Sequence, residues 1–415
     1  MRILIVSCVF PPEPVISSQT SAQVAHALAD GGHDITVITA FPSRPAGKLY
    51  QGHPRRLFQR SQESGFALIR CFTFLSPESW LVSRFLENIA FGVTSGLATL
   101  SVRRPDVIYA NTWPIFAAGI LSLVSRLRHI PMVISIQDVY PESLVTQKRI
   151  QADSWLARFI RRIDRWIVKG CQSVIAISES FARIYRNDRE VIPERLYIVP
   201  NWSDSKSVTP DDDRGTEFRN TRGIPQDAFV VLYGGNIGVA AGVETVIEAI
   251  RYLRDMTNLY LVIAGEGSSL SICQALAREI DSRRILFHAP WLKEETSPVL
   301  SAANVLILPT RGGQSLVSVP SKLVSYMLAA RPVIALALPG SDLSKLVKEQ
   351  SRCGWVVEPD KPEQLADKIK TVAMMSPNDL ILYGQAGRDF ALENFTGDVC
   401  LPRIVHILET IAARA

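Results

Sequence analysis

Twice along this chain, short uninterrupted apolar runs alternate with segments of helical periodicity, and that repetition leaves few folds open. In the first half, runs at 3–7, 35–39, 106–110, 132–136 and 173–177 predict strands, with a helix over 19–30. In the second half, runs at 229–233, 259–264, 285–287, 305–308 and 333–336 repeat the pattern, with a helix over 243–253. A strand that is apolar on both faces must be covered on both faces, which is the condition of a parallel sheet sandwiched by helices. The rhythm stops around Val199-Pro200-Asn201-Trp202, and 203–213 is polar, ending in Asp211, Asp212 and Asp213. At 415 residues the chain also exceeds the roughly 250 to 300 that one core serves. Two doubly wound α/β domains are expected, over 1–202 and 203–390, with 391–415 as a helix returning to the first. Right-handed βαβ units would turn both sets of carboxyl-end loops toward a shared cleft, where such sheets bind ligands.

The charge is unevenly divided. Residues 1–205 hold 23 Lys/Arg against 16 Asp/Glu, and residues 206–415 hold 22 against 24. A basic first half suits an anionic partner such as a membrane surface or a lipid pyrophosphate, and equally a merely solvated basic surface. No nucleic-acid motif accompanies the arginines, so no nucleic-acid partner is expected. Six cysteines without a C-x-x-C pair lie largely in apolar contexts and read as reduced core thiols, and the first strand leaves no room for a secretory leader. A cytoplasmic protein is expected, peripheral on the cytoplasmic membrane face. Residues 88–102 are uncharged for 15 positions and 107–125 for 19. The first is too short to span a bilayer, and the second is broken by N-T-W-P into a strand and a helix beginning near Ile115. The segment 80–102 reads either as a core helix or as an amphipathic helix docking on lipid.

Chemistry is expected in the loops after strands. At 318–335 the order S-V-P-S-K-L-V-S-Y-M-L-A-A-R-P-V-I-A joins a loop, a short helix and a buried strand. Pro320 suits a first helical turn, Ser318 and Ser321 could cap it, and Lys322 falls at its positive end, a combination that would cradle phosphate or simply cap an ordinary helix. Tyr233-Gly234-Gly235-Asn236-Ile237-Gly238 follows a strand with glycines that let backbone approach a diphosphate, although tight turns also need glycine. In the first half, F-P-P-E delivers Glu13, and Ser17 and Ser18 follow at the next helix start. Asp138 and Glu142, after the strand ending at Ile136, could orient hydroxyls or act as bases, or serve as turn and first-turn residues. No G-x-G-x-x-G or H-E-x-x-H signature occurs and the six histidines are scattered, so neither a dinucleotide nor a metal is expected.

Taken jointly, F-P-P-E at 10–13, L-A-D-G-G-H-D-I-T-V at 28–37, R-P-D-V-I-Y-A at 104–110, Q-D-V-Y-P-E-S at 137–143, V-P-N-W at 199–202, G-G-N-I-G at 234–238, A-G-E-G at 264–267 and V-P-S-K-L at 319–323 resemble the GT-B nucleotide-sugar glycosyltransferases of family 4, of the colanic-acid, O-antigen and capsule type. The resemblance implies two Rossmann-like domains facing a cleft and a retaining, metal-independent transfer of a hexosyl group from a UDP- or GDP-linked donor, with no other cofactor. It implies that Gly234, Gly235, Asn236, Gly238, Gly265, Glu266, Pro320, Ser321 and Ser325 hold the donor, with Trp291 near the base or in the core. Lys322 would stabilise the departing diphosphate. Asp138 and Glu142 would steer a lipid-linked saccharide acceptor, with Glu13, Ser17 and Ser18 on the acceptor side. The chain departs from the family pattern where glutamates are usual, at Val317 and Ser325, where Arg and Lys are usual, at Asn236 and Ala241, and where a glycine precedes the last strand, at Ala330. Arg311 would then share the phosphate charge. Two rivals accompany this reading: a nucleotide-sugar epimerase on the same fold, and a non-catalytic nucleotide-sugar-binding partner.

Overall fold

The computed structural model describes the chain apart from residues 45, 54, 64, 76–80, 112, 113, 147, 148, 282, 313, 314, 316–319 and 415 and the side chains of 16 and 81. Trp80, Val317, Ser318 and Val319, each given a part by the sequence, lie outside the described residues. The chain divides into two compact units, Met1–Asn201 with Cys400–Ala415, and Trp202–Val399.

The first unit runs β1 (Arg2–Val6), α1 (Ile16–Asp30), β2 (Asp34–Ala40), β3 (Phe58–Glu63), β4 (Phe66–Cys71), α2 (Leu81–Ser101), β5 (Val107–Asn111), α3 (Ile115–Leu127), β6 (Met132–Ile136), α4 (Glu142–Thr146), α5 (Trp155–Lys169), β7 (Ser173–Ala176), α6 (Glu179–Asn187) and β8 (Leu196–Ile198). Its sheet has the order β3-β4-β2-β1-β5-β6-β7-β8. Every pairing is parallel except that of β3 with β4. The runs expected in this unit all lie in interior strands, and β6 is buried at every position, while the interior strand β4, F-A-L-I-R-C, was not among them. The sequence did not disclose β3, whose F-Q-R-S-Q-E is polar and mostly exposed, because an edge strand needs only one partner and no covering helix.

The second unit runs α7 (Asp212–Thr221), β9 (Phe229–Gly234), α8 (Val243–Ala249), β10 (Leu259–Ala264), α9 (Leu270–Asp281), β11 (Ile285–His288), α10 (Thr296–Ser301), β12 (Val305–Leu308), α11 (Lys322–Leu328), β13 (Val333–Leu336), α12 (Asp342–Lys345), β14 (Gly354–Val357), α13 (Pro362–Ala373) and α14 (Pro377–Asn394). Its sheet, in the order β11-β10-β9-β12-β13-β14, is parallel throughout. The last helix, α15 (Gly397–Ala413), belongs to the first unit from Cys400 onward, where His33 Nε2 lies 3.0 Å from the Glu409 carboxylate. All six cysteines are buried free thiols.

In each sheet the first strand ends up inside. The chain builds outward from β1 through β2 and β4, then returns to pair β5 on the other side of β1. It does the same with β9, followed by β10 and β11 on one side and β12 on the other. The β1/β5 and β9/β12 borders are therefore switch points, where diverging connections open a crevice at the carboxyl ends of the strands.

One connection in the second unit is strained. After α11 the chain closes on Ala330, whose φ is 51° and whose N–H donates to the Met327 carbonyl at 2.9 Å. This left-handed cap is a glycine position occupied by alanine, and it is the place where the family pattern has glycine. Ala330→Gly is expected to raise the stability of the second unit by about 0.5 to 1 kcal/mol, the relief of left-handed strain less the added freedom of the unfolded chain. A urea midpoint that stays put or falls would refute this.

Candidate functional site

The loops at the β9/β12 border meet through the ends of β9 and β10, which pair Gly234 with Ala264. Each strand hands over to a glycine with positive φ, Gly235 at 147° and Gly265 at 131°. A Cβ on Gly265 would stand 2.0 Å from the Gly235 carbonyl oxygen, and a Cβ on Gly235 would stand 2.3 Å from Lys322 Cε. The two loops thus touch through bare backbone, and the lysine stem lies across the first of them.

Lys322 opens α11. Its Nζ donates to the Tyr233 hydroxyl, lies 4.6 Å from the centre of that ring and 3.4 Å from the Asn236 carbonyl oxygen. Tyr233 in turn donates to the same Asn236 carbonyl at 2.6 Å. Among the described residues no carboxylate lies within ion-pair distance of Lys322. Burial pulls its pKa down to about 8, since a desolvated ammonium is held here only by a ring face and neutral oxygens. The arrangement presents a partly dehydrated cation whose charge no protein anion neutralises, and an anionic ligand would complete it.

Tyr326 fixes the same loop from one turn along α11. Its hydroxyl donates to the Gly234 carbonyl and accepts from the Gly234 N–H, both at 2.9 Å. It had no part in the site expected from the sequence. Its signal was available, because residues four apart share a helix face and a buried tyrosine seeks a partner for its hydroxyl. Trp291 presses against Gly234, where a Cβ would come within 2.8 Å of its Cη2, and its buried Nε1–H has no partner among the described residues. Arg311, after β12, pairs with Glu244 at 2.8 Å while its Cγ lies against Gly242.

Other expected donor residues take different places. The N–H groups of Gly235 and Ile237 donate to the carbonyls of Ala264 and Glu266, so this loop is shaped by its glycines while these donors stay engaged inside the unit. Glu266 itself is exposed, Asn236 packs over Gly267, and Gly238 begins a 3-10 turn. Ser321 already has helical φ and ψ and makes no side-chain cap, contrary to the capping expected of it. The Pro320 carbonyl accepts from Leu323, and the Ser325 carbonyl accepts from Ala329.

In the first unit the β1/β5 border gathers Glu13, Ser17 and Ser18. Glu13 is buried and accepts from the N–H groups of Phe10 (3.3 Å), Ser43 and Arg44 (both 2.8 Å), so it clamps the loops after β1 and β2 together. Burial pushes its carboxyl pKa up, against the pull of these donors. The Ser17 carbonyl is taken by the hydroxyls of Thr20 and Ser21, whereas the fully buried Ser18 hydroxyl has no partner among the described residues. After β6, Asp138 is half-buried, and desolvation pushes its carboxyl up. Glu142 is held in place by Arg189, which donates to it at 2.6 Å, to the Tyr140 carbonyl at 2.8 Å and to Asp164 at 2.9 Å. Arg189 is wholly buried, and the Tyr185 hydroxyl donates to the same Asp164 at 3.2 Å. Glu142 is thus committed to an internal ion network. Nothing local in the sequence signals this, because its partner lies 47 positions away.

Two family models match the chain in tandem: a glycosyl transferase 4-like domain over residues 17–202, and glycosyl transferases group 1 over residues 228–374. WcaI of Escherichia coli strain K12, whose name assigns it to colanic acid biosynthesis as a glycosyl transferase, is 23% identical over 399 residues, 95% of this chain and 97% of that protein. Among solved structures, sucrose-phosphate synthase from Thermosynechococcus elongatus is similar with a TM-score of 0.74 at 18% identity, covering 100% of both chains. HepE of Anabaena in complex with UDP is similar with a TM-score of 0.69 at 14% identity, covering 99% of this chain and 100% of that one.

Arg189→Met is expected to destabilise the first unit by about 3 to 5 kcal/mol, because it leaves the buried Asp164 without its cation and Glu142 with only Arg161, at 3.4 Å. Urea denaturation followed by tryptophan fluorescence measures it. A cost below about 1 kcal/mol would show that the network does not hold the loop after β6.

Proposed function

The chain belongs to the family 4 glycosyltransferases of GT-B fold, and from that premise we propose which transfer it performs. It is a retaining, metal-independent hexosyltransferase that moves a sugar from a UDP- or GDP-linked donor to a lipid-linked saccharide in cell-surface polysaccharide biosynthesis, peripheral on the cytoplasmic membrane face. The observation that carries the donor side is Lys322, a half-buried cation that no carboxylate pairs among the described residues, set over Gly235 at the switch point of the second sheet. The UDP bound by HepE supports a nucleoside diphosphate there, and the assignment of WcaI to colanic acid biosynthesis supports a polysaccharide product.

In this reading the acceptor hydroxyl oxygen bonds to the anomeric carbon as the bond from that carbon to the diphosphate breaks. The departing phosphate oxygen takes the hydroxyl proton, on the face from which it leaves, so the configuration is kept. Negative charge grows on the diphosphate as the bond breaks, and Lys322 meets that charge in a site from which water is partly excluded. Arg311 stands nearby but is shared with Glu244, so Lys322 carries the larger part. Asp138 is the first-unit carboxylate left to orient the acceptor, since Glu142 and Glu13 are bound internally.

Calorimetry against UDP, GDP, ADP and dTDP, with and without EDTA, is expected to give selective binding of one nucleotide that the chelator does not change. Binding abolished by EDTA would remove the metal-free mechanism. Binding without any turnover of the matching nucleotide sugar would favour a non-catalytic partner protein.

Lys322→Ala is expected to weaken that binding by about 1.5 to 3 kcal/mol, the scale of a charged hydrogen bond. The pH dependence has a definite sign. The anion binds the protonated lysine, whose pKa in the free protein lies near 8, so affinity holds below that value and falls as pH rises through it. Titrations between about pH 7 and 9 should show this fall in the natural chain and a flat profile in Lys322→Ala. An affinity unchanged by the substitution would exclude Lys322 from the site.

A further inference from the structure

A helix on the surface of a globular unit normally turns a polar stripe to water. Helix α2 does the reverse. Its exposed positions between 82 and 100 are Val82, Phe85, Leu86, Val93, Leu97 and Leu100, spaced as one helical stripe. Apart from the buried Phe91 and Glu87, its inward side is small and hydroxylic. A Cβ on Gly92 would come within 2.8 Å of Ala117 Cα on α3, and Thr94 donates to the Phe72 carbonyl at 2.8 Å. Helix α3 lies alongside and exposes Leu123 and Leu127, and its Phe116 meets Phe85 edge to face at 5.1 Å.

Helix α5 packs beside α3 through Gly119, against Ile163 and Ile167. It exposes Trp155, Phe159 and Trp166 together with Arg158 and Arg162, all on one face. Arg126 of α3 sits 4.2 Å from the centre of the Trp166 ring and donates to its carbonyl at 2.6 Å. The three helices contain two acidic side chains, Glu87 and Asp164, both buried and both bound to arginine. The acidic Glu190, near the end of α5, is paired with Arg165 and Lys169. Arg103 and Arg104, exposed just after α2, extend the basic rim.

We propose that α2, α3 and α5 form one surface that docks on an anionic lipid bilayer, with the apolar stripes in the acyl boundary, the tryptophans at the headgroup level and the arginines on lipid phosphates. Charge selects the occupant. A second copy would bring the same basic rim against this one, whereas an anionic bilayer satisfies apolar and cationic groups together. None of the helices is long and apolar enough among the described residues to cross a membrane, so the surface lies on the bilayer. The inference deepens the proposed function by naming its membrane contact, and rests on that reading for the lipid-borne acceptor.

The test is flotation of the full chain with vesicles of phosphatidylglycerol and phosphatidylethanolamine, and with phosphatidylcholine vesicles, without donor or acceptor. A failure of docking then stays separate from a failure of transfer. The natural chain is expected to float with the anionic vesicles and poorly with phosphatidylcholine. Two variants, Leu97→Glu with Leu123→Glu, and Trp155→Ala with Phe159→Ala, should raise the lipid needed for half binding about tenfold or more. Melting temperature and nucleotide affinity should stay as in the natural chain. The proposal is overturned if the natural chain does not float, if it floats equally with phosphatidylcholine, or if folded variants float as it does. It is also overturned, in favour of a second copy, if the glutamate variant abolishes a concentration-dependent dimer while no vesicles are bound.

Discussion

Gly235 and Gly265 have no Cβ, and the carboxyl edge of the second sheet is arranged around that fact. With about 2 Å between one glycine's side-chain direction and its neighbour's carbonyl, or the lysine stem, any larger residue would separate the loops or lift Lys322 away. The rest follows from this close approach. Tyr326 can grip Gly234 from α11 only because the strand end stays where the bare backbone leaves it. Lys322 can lie flat with its ammonium over Tyr233 only because nothing projects from Gly235. The lowered pKa of the lysine is therefore a consequence of packing. Its aliphatic stem is covered by protein, and its charge is left with a ring face and neutral oxygens.

The first unit treats its charges in the opposite way. Glu13 and Glu142 stand in loops after strands, where chemistry would be sought, yet both are tied up, one by three backbone N–H groups and the other by Arg189. Their work is to hold the loops after β1, β2 and β6 in place. A buried carboxylate with its lone pairs engaged is a poor base. A transfer in which the leaving phosphate takes the proton asks for no free base from the acceptor side, so a rigid anionic clamp there is compatible with that chemistry. The two units thus differ, with a cation that no described carboxylate pairs in one, and Glu13 and Glu142 engaged internally in the other.

Most strands were legible because a sheet covered on both faces needs apolar residues at nearly every position, and β10, β12 and β13 follow that rule to their last residue. Strand β3 was not, since an edge strand with a wet face carries no such run. Lys322 was legible from its place between β12 and β13, but its contacts were not, because Tyr233 lies 89 positions away. The capping assigned to Ser321 failed for a local reason: the residue is already inside the helical turn and cannot reach back to its N–H groups. Glu142 was misjudged because an ion network is a property of the fold, and Asp164 and Arg189 carry no mark in the sequence that ties them to it.

Helix α2 was ambiguous for a different reason. Residues 88–102 carry no charge, so hydropathy cannot tell its inner from its outer side. What separates them is size. Gly92, Ser95, Gly96 and Thr99 recur at helical spacing and allow α3 to come close, which turns the large residues outward. That choice has an energetic consequence. Burying a Val, Leu or Phe fully is worth about 1.5 to 3 kcal/mol, so six such side chains left roughly half in water forgo on the order of 5 kcal/mol or more. That is comparable to the whole stability of many domains, about 5 to 15 kcal/mol. Polar replacements at those positions, Phe85 with its edge-to-face contact to Phe116 apart, would leave the closest approach of α2 to α3 in place, because small residues on the other side make it. Phe85 apart, the apolar stripe adds little to the close packing of these two helices, and the lipid surface proposed for it would supply its burial.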